Sequence, residues 1–179
     1  MMNNDKEQHH PFVMLAKQAL ETFVMRGVVI TPPNPLPEEF RRKAGCFVTL
    51  EENGELRGCI GTIEPIYDNL AQEIINNAIA AGTEDPRFPP VTVDELDIID
   101  YTVEVLSSLE EVADESALDP KRWGVVVQSK LRPYRKGVLL PNLEGVDSVQ
   151  EQIRICRLKG GISHSEEVRL FRFTTEKYK

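Results

Sequence analysis

Asn53-Gly54 separates two runs rich in strand-forming residues, Cys46-Phe47-Val48-Thr49-Leu50-Glu51-Glu52 and Glu55-Leu56-Arg57-Gly58-Cys59-Ile60-Gly61. Asn-Gly in that setting is the strongest short-range hairpin signal, because a type I′ turn needs positive φ at both central residues. A two-residue loop also sets the register. Glu52 is expected to face Glu55, Leu50 to face Arg57, Val48 to face Cys59 and Cys46 to face Gly61. Side chains alternate across a strand, so Arg57 and Cys59 are expected on one face, with Leu56 and Ile60 on the other.

That register gives Cys59 two readings. In one, the neighbouring Arg57 guanidinium favours the thiolate, the nucleophilic form. Gly58 and Gly61 then leave room for a substrate or another backbone. In the other, Cys59 is a small buried hydrophobe beside Val48 and Leu50. Cys46 is expected diagonal to Cys59 on the same face, at about 7–8 Å between Cα atoms, slightly long for a disulfide.

The rest of the chain alternates helix and strand signals. Residues 1–10 are polar and read as a disordered segment, with the adjacent His9 and His10 unable to share a helix face. Phe12, Leu15, Ala16, Ala19 and Phe23 recur at helical spacing from Pro11 to Arg26, with Gly27 at the end. Four prolines between Thr31 and Pro37 mark an extended connector. A short turn is expected over 38–43. After the hairpin, Ile66, Leu70, Ile74 and Ala78 mark a helical stripe, widened by Ala71, Ile75 and Ile79, that ends near Gly82. The loop 85–90 follows, and Phe88-Pro89 is a candidate cis bond. Strands are expected over 98–106, 124–128, 137–140 and 167–173, with a helix after Ser148 carrying Val149, Ile153 and Cys156. Strand, turn, strand, corner and helix thus occur at 46–82 and again at 124–160. A duplicated unit within one α+β domain over 11–179 is the economical reading.

Bulk properties bound the function. The 179 residues fit one domain or two closely packed halves. A net charge of −8 disfavours nonspecific binding to nucleic acid or anionic lipid. One segment runs against it: Lys121, Arg122, Lys130, Arg132, Arg135 and Lys136 occur with no acidic residue between them. That run is either a solvated hairpin loop or a site for an anionic ligand or acidic surface. No apolar run is long enough to span a bilayer, and no secretory h-region precedes Pro11. Three cysteines then suit a reducing cytoplasm better than a disulfide framework. No zinc-ligand spacing, Walker loop, dinucleotide-binding glycine pattern or Gly-x-Ser-x-Gly elbow is visible, so no cofactor or metal is expected. His164, in a Gly-rich loop, is the histidine best placed in sequence to serve as a base for Cys59.

Leu56-Arg57-Gly58-Cys59-Ile60-Gly61, followed by Asp85-Pro86-Arg87-Phe88-Pro89-Pro90, resembles the AMMECR-type domain family. In bacteria similar proteins are called AmmeMemoRadiSam system protein A. The resemblance extends from about Pro11 to the C-terminus. It implies two related strand–helix units sharing a curved, barrel-like, mainly antiparallel sheet with flanking helices. It also implies a setting with a Memo-like protein, similar in fold to extradiol dioxygenases, and a radical-SAM protein. One segment departs from the common pattern: many relatives carry Leu-Leu-Pro-Gln, where this chain has Leu139-Leu140-Pro141-Asn142.

Arg57, Cys59, Asp85 and Arg87 lie inside the two family motifs, and Glu104 lies in a strand that also looks family-like. A cysteine beside arginines and carboxylates suits nucleophilic chemistry, with Cys59 and Glu104 catalytic. Arg57, Gly58, Gly61, Asp85 and Arg87 would then hold a small-molecule or macromolecular substrate. The alternatives are a non-catalytic binding or adaptor module using the same face, or a purely structural network. In the structural case Asp85 and Arg87 pin the proline loop to the hairpin through Arg57 and Glu104.

Overall fold

The computed structural model describes residues 9–179. The chain divides into two compact units. One holds the described residues up to Val105 together with Glu176–Lys179, and the other is Leu106–Thr175.

The first unit carries α1 (Pro11–Arg26), β1 (Cys46–Glu52), β2 (Glu55–Gly61), α2 (Leu70–Thr83), β3 (Ile99–Leu106) and β8 (Thr175–Tyr178), with sheet order β2-β1-β3-β8. An isolated helix of 16 residues is marginal in water, so α1 depends on its buried face. Phe12, Val13, Leu15, Ala16, Ala19 and Leu20 supply it, and burying one leucine stabilises by roughly 1.5–3 kcal/mol. Gly27 ends the helix in the left-handed region at φ 67°, its N–H donating to Phe23 O at 2.7 Å. His10 caps the start: its Nδ1 accepts the Phe12 N–H at 3.2 Å, and its ring packs on Phe12 and Tyr178. His10 therefore belongs to the fold and not to a disordered segment; residues 1–8 lie outside the described residues.

α2 starts at Leu70, where Asn69 accepts the Gln72 N–H at 3.0 Å. The stripe read from Ile66 therefore begins one turn too early, and Ile66 is exposed. α2 packs on β1 and β2 with one side and on α1 with the other, so it is buried nearly all round. Gly82 lets the two helices approach closely there: a Cβ would strike the Leu20 side chain of α1, which would have to shift. Phe88–Pro89 is trans; among the described residues the cis bond is Asn34–Pro35.

The second unit carries β4 (Glu110–Val112), β5 (Gly124–Ser129), β6 (Lys136–Leu139), α3 (Val149–Lys159) and β7 (Val168–Phe173), with order β4-β7-β5-β6. Val125, Val127, Leu139, Cys156 and Ile162 form its core. Ser148 caps α3 by accepting the Glu151 N–H at 3.2 Å. The short strands β4 and β8 were not visible as sequence patterns. The strands make two four-stranded, antiparallel sheets, in keeping with the α+β fold expected; among the described residues they do not close into a barrel. Each hairpin recruits its own third strand, so pairing is completed locally.

The two units repeat one plan. Both run hairpin, helix, then a third strand antiparallel to the first: β2-β1-β3 and β6-β5-β7. In each, a glycine of the second strand meets the backbone of the following helix. A Cβ on Gly58 would clash with Ala81 O, and one on Gly137 with Cys156 O. With these glycines matched, a buried amide also matches. Asn77 Nδ2 donates to Cys46 O at 3.0 Å, and Gln152 Nε2 donates to Trp123 O at 2.8 Å.

Candidate functional site

The hairpin register slips by one residue, and that slip builds the site. Glu52 faces Glu55 and Glu51 faces Leu56, but Leu50 faces Gly58, leaving Arg57 as the extra residue of a β-bulge. A one-residue shift moves every later side chain to the other face. Cys59 therefore pairs with Thr49, not Val48, and Phe47, not Cys46, pairs with Gly61. Cys46, Val48 and Leu50 point to the core and are fully buried. Cys59 shares the opposite face with Thr49, Thr102 and Glu104. The expected diagonal between Cys46 and Cys59 is absent, because the two thiols lie on opposite faces; all three cysteines are free.

Arg57 is buried away from the thiol it was expected to activate. Its Nε and Nη2 donate to Glu95 at 2.6 and 3.3 Å, and its Nη1 is buried with no hydrogen-bond partner among the described residues. Glu95 has a second task. In the capping box Thr92-Val93-Asp94-Glu95 it accepts the Thr92 N–H at 2.7 Å and the Thr92 hydroxyl at 3.0 Å. Donation by Arg57, with help from Thr92, pulls the Glu95 carboxyl down to about 2.

Asp85 ties the proline loop to β2. It accepts the Cys59 N–H at 2.9 Å, the Arg87 N–H at 3.1 Å, and Arg87 Nε and Nη2 at 2.9 and 2.7 Å. The Arg87 guanidinium holds the Asp85 carboxyl well below the usual range, and the two N–H donors reinforce it. Arg87 Nη2 also lies 3.5 Å from Cys59 O. Phe88 stands between two cations, with the guanidinium carbons of Arg57 and Arg87 at 5.9 and 5.5 Å from its ring centre. The loop is thus pinned to the hairpin, but through the Cys59 main chain. Arg57 does not join Asp85 and Glu104: its partner is Glu95, and Glu104 instead meets Lys177 Nζ at 3.6 Å.

Cys59 itself is half-buried and accepts a hydrogen bond from Thr49 Oγ1 at 3.3 Å. Burial pushes its thiol up. Thr49 and the Arg87 charge oppose the shift, while Glu104 and Asp85 add to it. The expected low-pKa thiolate activated by Arg57 is therefore not the state that this geometry favours. The other thiols are more deeply suppressed, with burial pushing both Cys46 and Cys156 up to about 12.

The glycines of the motif serve packing. The space beside Gly58 is taken by Ala81 O, and that beside Gly61 by the Phe47 ring and Cys46 O. His164 stands in the second unit, against α3. Much of the basic run is occupied: Lys121 pairs with Asp147, Lys130 with Glu167, and Arg135 donates to Gly161 O. Among the described residues no group of three or more His, Cys, Asp or Glu is placed to hold a metal ion. Among the described residues no helix is long and apolar enough to cross a membrane.

Thr49, Thr102, Glu95 and Lys177 belong to the constellation without having been singled out from sequence, and Phe88 joins it from inside the second family motif. Only Glu95 had a readable signal, the Thr-x-x-Glu capping box. The matched second unit shows what the fold itself demands on this face. Val126, Val138, Phe171 and Phe173 stand where the first unit has Thr49, Cys59, Thr102 and Glu104.

Comparison with known proteins agrees on one family. The model of the AMMECR1 family matches residues 13–178. A Thermotoga maritima protein is 53% identical over 173 residues, covering 95% of this chain and 98% of the relative. Protein CA_C1420 of Clostridium acetobutylicum is 45% identical over 97% of this chain, which spans only 37% of that longer protein. The crystal structure of the uncharacterized protein PH0010 from Pyrococcus horikoshii superposes with a TM-score of 0.83 at 32% identity, covering 93% of this chain and 88% of that one.

Proposed function

We propose that this chain, which belongs to the AMMECR1 family, is a binding module that recognises partners through the Cys59 face of its first sheet. The observation that carries the reading is the condition of Cys59. Its thiol is pushed up by burial, accepts from Thr49, and lacks the Arg57 neighbour expected to activate it.

Two further observations support recognition over chemistry. Where the second unit builds the same face from Val126, Val138, Phe171 and Phe173, the first uses Thr49, Cys59, Thr102 and Glu104. The second unit builds the repeated plan with apolar side chains at those places, so the polar set of the first is not a requirement of the plan. Arg87, more than half exposed and anchored by Asp85, sets a fixed cation at the edge of that face. Anchored charges of this kind give a surface specificity more than raw affinity.

The partners on this reading are the Memo-like and radical-SAM proteins that the family resemblance implies. In the Clostridium relative a chain like this one is part of a much longer polypeptide, which also suits a module that works beside others.

Footprinting tests the proposal. The native protein is mixed with a purified Memo-like or radical-SAM protein, and alkylation of Cys59 is followed by mass spectrometry. Saturating partner is expected to slow Cys59 labelling by about tenfold, the effect of a site occupied for roughly 90% of the time. Labelling unchanged by either protein contradicts the proposal. Fast labelling of the free protein with a depressed pKa instead favours the enzyme reading, with Cys59 as nucleophile.

A further inference from the structure

Glu52 and Glu55 face each other in the pair that closes the β1–β2 hairpin. Neither makes an ion pair among the described residues, and the neighbouring Glu51 lies opposite Asp100. Like charges directly opposite weaken a strand pair, so the hairpin opens most easily at its tip. That tip is Asn53-Gly54. Both residues are exposed, and both hold left-handed conformations, at φ 52° and 82°. A Cβ on Gly54 would meet nothing within 4 Å, so nothing crowds the Gly54 backbone. The Asn53 amide makes no hydrogen bond among the described residues. No other asparagine of the chain precedes a glycine. Asn34 precedes a proline, which has no N–H. Asn69, Asn76 and Asn77 are held by hydrogen bonds on α2.

We propose that Asn53 is a modification site, converted to aspartyl and isoaspartyl forms with water as the sole co-reactant. The main-chain nitrogen of Gly54 attacks Asn53 Cγ and gives up its proton. The Cγ–Nδ2 bond breaks, the side-chain nitrogen leaves as ammonia, and a five-membered succinimide closes. Water then opens the ring. Attack at Cγ gives aspartate, and attack at the Asn53 main-chain carbonyl gives isoaspartate, with the chain running through Cβ. Glycine is the residue that lets this ring close, because no side chain shields its nitrogen. Asn53 must leave its left-handed turn conformation to bring Cγ onto that nitrogen, so opening of the tip gates the reaction. The new carboxylate joins Glu51, Glu52 and Glu55, and the isoaspartyl form adds a methylene to the backbone of a two-residue loop. Both changes loosen the closing pair further. They stay local, because β1 is paired with β3 from Cys46 to Glu52. The site is independent of what the Cys59 face binds.

The native protein and a synthetic peptide of residues 46–61 are aged side by side at physiological pH and temperature. Peptide mapping by mass spectrometry reads the mass gain of amide-to-acid conversion, and fragmentation separates aspartyl from isoaspartyl products. Asn53 is expected to convert ahead of Asn34, Asn69, Asn76, Asn77 and Asn142. Its rate in the native protein is expected within about tenfold of the peptide's, as for a tip that frays at little cost. Glu55→Lys sets an opposite charge against Glu52. It should slow conversion in the native protein by about threefold or more, measured against a peptide carrying the same change. Asn53 intact in the native protein when the peptide has fully converted overturns the proposal. So does conversion no faster than at the other asparagines, or a rate ratio indifferent to Glu55→Lys.

Discussion

The main-chain N–H of Cys59 donates to Asp85 Oδ2 at 2.9 Å, so the two family motifs are joined through the backbone of the cysteine and not through its thiol. Asp85 is also the acceptor for Arg87, and one carboxylate therefore sets both the edge of β2 and the loop that follows α2. Asp85→Asn retains one acceptor but loses the charged pair. It is expected to destabilise the protein by about 2–3 kcal/mol in urea titrations, and to speed hydrogen exchange at the Cys59 amide. Unchanged exchange there would mean that the loop is held by something else.

Acid stability follows from Glu95. Its folded pKa, about 2, lies below the ordinary carboxyl value of 4.5, so the folded state binds fewer protons than the unfolded one between those limits. The Arg57–Glu95 pair therefore contributes stability fully present above about pH 4.5 and lost as pH falls towards 2. Glu95→Gln should flatten that limb of the stability curve. At neutral pH it should cost about 3 kcal/mol, because it leaves the Arg57 charge buried and unpaired. A limb of unchanged steepness would mean that other carboxylates carry the effect.

Gly58 and Gly137 are each faced by a helix carbonyl, Ala81 O and Cys156 O. A carbonyl in a packed helix cannot move aside as a side-chain tip can. Gly58→Ala and Gly137→Ala should therefore both be costly, by about 3 kcal/mol or more. Thermal melts of the two variants check this, and a neutral result at either site would break the match between the units.

The matched amides differ in one respect. Asn77 donates to Cys46 O and Thr62 Oγ1, whereas Gln152 donates to Trp123 O while its Oε1 is buried without a partner among the described residues. Replacing Gln152 by leucine removes that orphan acceptor along with the hydrogen bond. Gln152→Leu should therefore cost about 1 kcal/mol less than Asn77→Leu, as measured by denaturant titration.

The elements were legible where the signal was local. Asn53-Gly54 marked the hairpin turn, Gly27 the end of α1, and Ser148 the start of α3. What failed was the register beyond the turn. A bulge at Arg57 leaves no mark in residue type, and the Ala81 carbonyl that Gly58 meets in the shifted register lies far along the chain. That single slip moved Cys59 from beside Val48 to beside Thr49 and removed Arg57 from its neighbourhood. The partner of Arg57 was hidden for a similar reason: Glu95 announced a capping box, and nothing local announced its second task. The start of α2 was misplaced because Ile66 continued the helical period, although the chain there belongs to the corner before Asn69.

The most direct test of the account is the pH dependence of Cys59 alkylation in the native protein, with Cys46 and Cys156 measured alongside. The account predicts an apparent pKa for Cys59 above the free value of about 8.5. It also predicts little change in Arg57→Met, and no labelling of Cys46 or Cys156 until the protein unfolds. Rapid labelling of Cys59 with an apparent pKa below 8.5, lost in Arg57→Met, would contradict it.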